Sequence, residues 1–184
     1  METTTKTING FELSSISGTV NAIQENPAVA AFELRVENTW VTGGHNQSKI
    51  QGFYGAGKED TSRETPFILD NDEPPVLMGN NLGANPAEAL LHGMVGCMTT
   101  SMVLLAAANG IEVTAVTSRV AADIDLRGFL GLDPEVQRGY QQIRVDYHIE
   151  GVSDEEKFEL LELVKRSPMY NSVVNPVEVV LGLS

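Results

Sequence analysis

The chain has 184 residues, long enough for one sizeable core and short for two, so a single domain is expected. Twelve basic against 25 acidic side chains give a formal net charge of −13, a field that repels phosphate backbones and anionic lipid, so neither nucleic acid nor a membrane is an expected partner. A single cysteine excludes an internal disulfide and thiolate-built metal cages, which points to a reducing, cytoplasmic setting.

Met1 to Lys6 carries neither a basic cap before an apolar core nor a small-residue cleavage pattern, so no signal peptide is expected and the mature chain is expected to start here. Residues 10–26 place Phe11, Ile16, Val20 and Ile23 near helical spacing, with Pro27 as a stop, which predicts a short amphipathic helix. From Phe32 to Val41 the period changes to two, with Phe32, Leu34, Val36 and Trp40 on one side, as a half-buried strand requires. Turn residues 42–47 and a second extended run, Ser48 to Tyr54, complete a predicted β-hairpin with His45 at its tip.

Residues 55–84 are rich in loop formers around one short apolar run, Pro66 to Leu69, a candidate strand. Pro86 to Asn109 is the least polar stretch, with Asn85 as N-cap, Pro86 at the first helical position and Gly110 as the stop. Its length approaches that of a membrane span, but Glu88, His92 and Thr99-Thr100-Ser101 interrupt it, which favours a central helix buried on most faces. Alternation over Val116 to Leu126 and Ile143 to Glu150 predicts two long antiparallel strands. Ser153-Asp154-Glu155-Glu156 is a capping box opening a helix with a Phe158, Leu161 and Val164 stripe, and Val177 to Leu183 is expected to close the chain as a strand.

Cys97 is the one strong nucleophile in the composition. Among Gly, Met, Val and Leu a cysteine is more often a small hydrophobe, and Cys97 lies about three turns into its helix, too deep for the helix dipole to favour a thiolate. A polar group has to be brought to it. Glu88, nine residues upstream, faces the opposite side of an ideal helix and is either part of a bridged site or a carboxylate favouring the helix N-terminus. His92 has the spacing to pair with Glu88, and His148 lies on the polar face of a strand. His45 is carried on a hairpin tip, where catalytic side chains often sit. Neither the histidines nor the acidic run Asp70-Asn71-Asp72-Glu73 has metal-site spacing, and the glycines fit no nucleotide-binding fingerprint, so no metal and no cofactor are expected.

Several pieces together resemble the OsmC/Ohr family over about residues 32–184: a Gly-Gly turn after a strand (Trp40 to Asn46), Asn85-Pro86 followed by Glu88 and Cys97, Gly110-Ile111, Ser167-Pro168, and Asn175-Pro176-Val177. The resemblance implies a single α+β OsmC-like domain over 1–184, in which residues 1–30 are an N-terminal helical extension and residues 32–184 the family core. It implies antiparallel sheets packed on a long buried central helix, in an intertwined homodimer. It also implies a thiol-dependent peroxidase that reduces organic hydroperoxides in oxidative or osmotic stress defence, with a central-helix Cys activated by an Arg and a Glu and resolved by a second Cys. The reactive position matches Cys97. The Arg position holds His45, the Glu position holds Ala87 with Glu88 shifted by one, and the second-Cys position holds Ser167.

The site expected on this basis is Cys97, Glu88 and His45, with Arg63 able to substitute for the family arginine. A sulfenic acid on Cys97 would need an external thiol reductant. The competing expectation is a non-catalytic dimer that binds a small hydrophobic ligand in its interface pocket; an interaction protein without a ligand is the third.

Overall fold

The computed structural model describes residues 6–183 and arranges them in two compact units, one of residues 11–92 with Lys6 and Thr7, the other of residues 93–183 with Ile8–Gly10. Residues 1–5, where the expected N-terminal extension begins, and Ser184 lie outside the described residues.

After two short strands, β1 (Thr7–Ile8) and β2 (Phe11–Glu12), the first unit holds helix α1 (Leu13–Glu25), then β3 (Glu37–Thr42), β4 (His45–Ile50), β5 (Phe53–Gly55), β6 (Lys58–Asp60) and β7 (Phe67–Asn71). α1 falls where helical spacing predicts it, and none of its residues is buried. β3, β4 and β7 form an antiparallel sheet in that order, so the Pro66 to Leu69 run does add a strand. The predicted hairpin is present but ends sooner than expected. The chain leaves the sheet after Ile50, and Phe53–Gly55 pairs with Lys58–Asp60 across Ala56-Gly57, whose φ values of 50° and 80° suit a two-residue hairpin turn.

The half-buried strand expected from Phe32 is corrected in two respects. The strand starts only at Glu37, and all six of its residues are exposed, Trp40 by 71%. Period-two alternation encodes a face to be covered, and within this unit nothing covers it.

The long loop 72–84 is built around a carboxylate. Asp72 is 1% exposed and accepts backbone N–H bonds from Glu73 (2.8 Å), Asn80 (2.9 Å) and Leu82 (3.2 Å). Burial pushes its carboxyl up, but the three N–H donors outweigh it and hold the group below the usual carboxylate range. The loop closes so tightly that a Cβ at Gly79 would stand 1.8 Å from the Glu73 carbonyl oxygen.

Helix α2 (Pro86–Ala108) begins as predicted, with the Asn85 side chain accepting from Ala87 N at 2.8 Å. At its end Gly110 takes φ 77°, Gly110 N donates to Ala107 O (3.0 Å) and Ile111 N to Ala106 O (2.9 Å), the two bonds of a Schellman stop. By length and composition this helix could cross a membrane. Burial on most faces is not found: Met94, Met98, Met102 and Ala106 form one buried row at i, i+4 spacing, joined by Ala107, while the remaining faces are half-buried or exposed. The sequence is apolar nearly all round, and one chain supplies a covering for only one stripe.

The second unit continues with the antiparallel pair β8 (Ala115–Ile124) and β9 (Tyr140–Glu150), as predicted, with a short helix α3 (Leu126–Phe129) in the connection. Helix α4 (Asp154–Val164) opens on the predicted Ser153/Glu156 capping box. Its buried residues are Leu160 and Val164, whereas Phe158 is 73% exposed and Leu161 is exposed, so the docked stripe is rotated from the expected one. Both stripes have legitimate helical spacing, and packing decides between them. A further helix, α5 (Pro168–Val174), was not predicted. Asn9 ties its short segment into this unit, donating to Ile111 O (2.9 Å) and accepting from Val113 N (2.9 Å). The closing strand expected at Val177 to Leu183 is also corrected: the segment belongs to no strand and its apolar residues are exposed, Leu181 by 91%, because a strand needs a ladder partner and none of the described residues offers one there.

Candidate functional site

Cys97 is half-buried on α2, between the buried Met94 and Met98. The polar group that its own helix position denies it comes chiefly from the α4–α5 corner. Ser167 caps α5 with Pro168 at the first helical position, is fully buried, and donates from Oγ to Cys97 Sγ at 3.3 Å. A lone pair of the same oxygen accepts Tyr170 N at 3.4 Å, so one hydroxyl closes the helix start and serves the sulfur. The corner is pinned by Asn171 Nδ2, which donates to Lys165 O (2.8 Å) and Ser167 O (2.9 Å), and by Ser167 N, which donates to Val164 O (2.9 Å).

Burial pushes the Cys97 thiol up. Hydrogen bonding from Ser167, from the Met169 backbone N–H and from the Ser101 hydroxyl, one turn further along α2, outweighs it and brings the thiol below its ordinary value. A hydroxyl donor held on the sulfur stabilises the thiolate, the nucleophilic form.

The same unit contains a cleft of about 410 Å³ whose lining includes Met94, Met98, Tyr147, Val164, Tyr170 and Val174. Tyr147 Oη is buried there without a hydrogen-bond partner of normal geometry, although the Thr99 hydroxyl approaches it. Burial raises the phenol above its ordinary value.

His45 and Glu88 belong to the first unit, and each is held by neighbours of its own. His45 is the first residue of β4, half-buried, with Nε2 2.9 Å from Asp70 Oδ1. Hydrogen bonds from His45 and Gln47 hold the Asp70 carboxyl below the usual range. Glu88 Oε2 accepts Asn85 N at 3.0 Å and so completes a reciprocal cap on α2. His92 is exposed, and the exposed His148 pairs with Glu150 at 3.0 Å. Arg63 is more than a solvated loop cation: its guanidinium lies over the rings of Phe53 and Phe67 at 5.3 and 5.5 Å, and Nη1 donates to Gln51 O at 3.1 Å. Among the described residues no three His, Cys, Asp or Glu side chains are grouped to hold a metal ion.

Sequence reasoning missed Ser101 and the Met169 amide, and knew Ser167 only as the place of the family's second cysteine. Two signals were available. Ser101 stands at i+4 from Cys97 on a predicted helix, and Ser167-Pro168 is an N-cap followed by a proline at N1, a helix start in its own right.

Several solved structures share this fold. An OsmC-like protein from Mycoplasma pneumoniae matches with a TM-score of 0.59 at 18% identity, over 78% of this chain and 89% of that one. An organic hydroperoxide resistance protein OsmC from Legionella pneumophila matches with a TM-score of 0.57 at 18% identity, over 81% and 94%. An organic hydroperoxide resistance protein from Elizabethkingia anophelis matches with a TM-score of 0.51 at 20% identity, over 78% and 91%. No curated protein matches the chain in sequence. The sequence profile described as OsmC-like protein matches residues 79–182, a span that runs from the Asp72 loop through Cys97 and Ser167, and the chain belongs to that family.

Proposed function

We propose that the protein is a one-cysteine, thiol-dependent reductase of organic hydroperoxides serving oxidative or osmotic stress defence in the cytoplasm. The observation that carries this reading is the buried Ser167 hydroxyl donated to Cys97 Sγ at 3.3 Å, on the central helix of an OsmC-like domain. Two proteins sharing the fold are described as organic hydroperoxide resistance proteins, which supports the choice of substrate class.

In the first step the Cys97 thiolate attacks the outer peroxide oxygen. An S–O bond forms, the O–O bond breaks, and the departing alkoxide takes a proton to leave as alcohol, with the sulfur oxidised to a sulfenic acid. The chain has no second cysteine, so an external thiol condenses with the sulfenic acid to give a mixed disulfide and water. A second external thiol then releases Cys97 and leaves as its own disulfide.

The acting species in this proposal is a homodimer whose protomer is one domain with its core from about residue 32. The exposed Phe32, Leu34, Val36 and Trp40 and the unpaired segment 177–183 support it, since a second copy would cover the former and supply a ladder for the latter. His45 and Glu88 are the polar groups assigned to tune the sulfur in the assembled site. The test is a rapid-mixing assay with cumene hydroperoxide and a dithiol on the wild type and Cys97→Ser. Consumption that depends on Cys97 is expected, and equal rates would remove the reading.

The methionine-lined cleft favours a second reading, a non-catalytic dimer that holds a small hydrophobic ligand. It predicts ligand binding unchanged by Cys97→Ser, with no peroxide consumption by either protein.

A further inference from the structure

The first unit contains a cleft of about 440 Å³ lined by Arg35, Lys49, Arg63, Glu37 and Glu64 with the polar backbone around Gln51 and Gly52. Of its three cations Arg35 is paired with Glu59 and Glu33 and Lys49 with Glu37, which leaves Arg63 as the lining cation without an ion pair among the described residues. We propose that this cleft binds a small organic monocarboxylate, with Arg63 as its principal ligand. The proposal is independent of the peroxide chemistry at Cys97.

Arg63 is held the way an anion receptor holds an arginine. Its guanidinium lies over the Phe53 and Phe67 rings, and Nη1 is anchored on Gln51 O. The Gln51 side chain returns the contact, donating to Arg63 O at 3.2 Å and Glu64 O at 3.4 Å, so the loop is fastened without the remaining guanidinium donors. Arg63 forms no ion pair among the described residues, whereas Arg35 pairs with Glu59 and Glu33, and Lys49 with Glu37 at 3.7 Å. A planar fork oriented by two rings and short of a carboxylate is preorganised for bidentate binding of one. With Arg35 and Lys49 already paired, Arg63 offers a single unpaired positive charge, which matches a monoanion better than a phosphate dianion.

The test titrates the full chain at neutral pH with sodium benzoate, benzyl alcohol and inorganic phosphate, by calorimetry and by backbone amide shifts. Saturable benzoate binding is expected, with shifts centred on Gln51, Gly52, Thr61, Arg63 and Glu64, and with benzyl alcohol and phosphate weaker. Arg63→Gln should weaken benzoate about tenfold, the loss of one charge-assisted pair, and Arg63→Lys should fall between. Lys49→Gln, a change at a half-exposed strand residue that leaves the Arg63 lock intact, should weaken it less. An absence of saturation at millimolar benzoate, shifts centred elsewhere, equal binding of benzyl alcohol, tighter phosphate, or an undiminished affinity in a folded Arg63→Gln protein would each overturn the proposal.

Discussion

Ser167 Oγ donates to Cys97 Sγ across 3.3 Å, linking residues seventy positions apart, the two positions that the resemblance gives to a reactive and a resolving cysteine. A hydroxyl there cannot form a disulfide, yet it stabilises the thiolate form of its neighbour. Ser167→Ala should therefore shift the pH midpoint of Cys97 alkylation upward and slow alkylation at neutral pH. An unmoved midpoint would show that the Ser167 hydroxyl does not set the acidity of the thiol.

Ser167→Cys should restore a resolving thiol. The oxygen-to-sulfur distance exceeds an S–S bond by roughly an ångström, a gap that a rotamer adjustment can close. After one turnover with cumene hydroperoxide the variant should show no free thiol on denaturation, with an intact mass two hydrogens lower than that of the reduced protein. Retention of two free thiols would mean that the α4–α5 corner is too rigid to let the sulfurs meet.

The two ends of this relationship were unequally legible in the sequence. Cys97 stood out by being the one cysteine, and Asn85, Pro86 and Gly110 bounded its helix because capping is local chemistry. The α5 start at Ser167-Pro168 obeys the same local rules but is short, and its apolar content sets no period. Phe158 and Leu161 against Leu160 show a different limit: two stripes on one helix had acceptable spacing, and the choice rests on tertiary packing. The exposed alternation from Phe32 to Trp40 and the unpaired run after Pro176 show a third, because a strand pattern records a face and a ladder without saying which chain supplies them.

If a second copy covers these surfaces, sedimentation should give twice the monomer mass at micromolar concentration, and deletion of residues 176–184 should lower the dimer fraction sharply. A monomeric wild type would contradict the assembly.

Asp72 governs the loop that leads into α2, and its removal strands three backbone N–H groups. Asp72→Ala should lower Tm on the order of 5 °C at neutral pH. Its carboxyl is held below its ordinary value when folded, so the unfolded chain binds the proton more readily and stability rises with pH. The contribution is complete above the unfolded carboxylate value of about 3.9 and is lost as pH falls through the lower folded value. The Tm gap between wild type and variant should thus be constant near neutrality and narrow only below about pH 4. A gap independent of pH down to denaturation would mean that the charge on Asp72 is not what orders the loop.

The most direct measurement of the proposed chemistry is intact and peptide mass spectrometry after one equivalent of cumene hydroperoxide in the presence of dimedone. A single dimedone adduct on Cys97 is expected, formed faster in the wild type than in Ser167→Ala. Unmodified Cys97 beside unconsumed peroxide would contradict that chemistry.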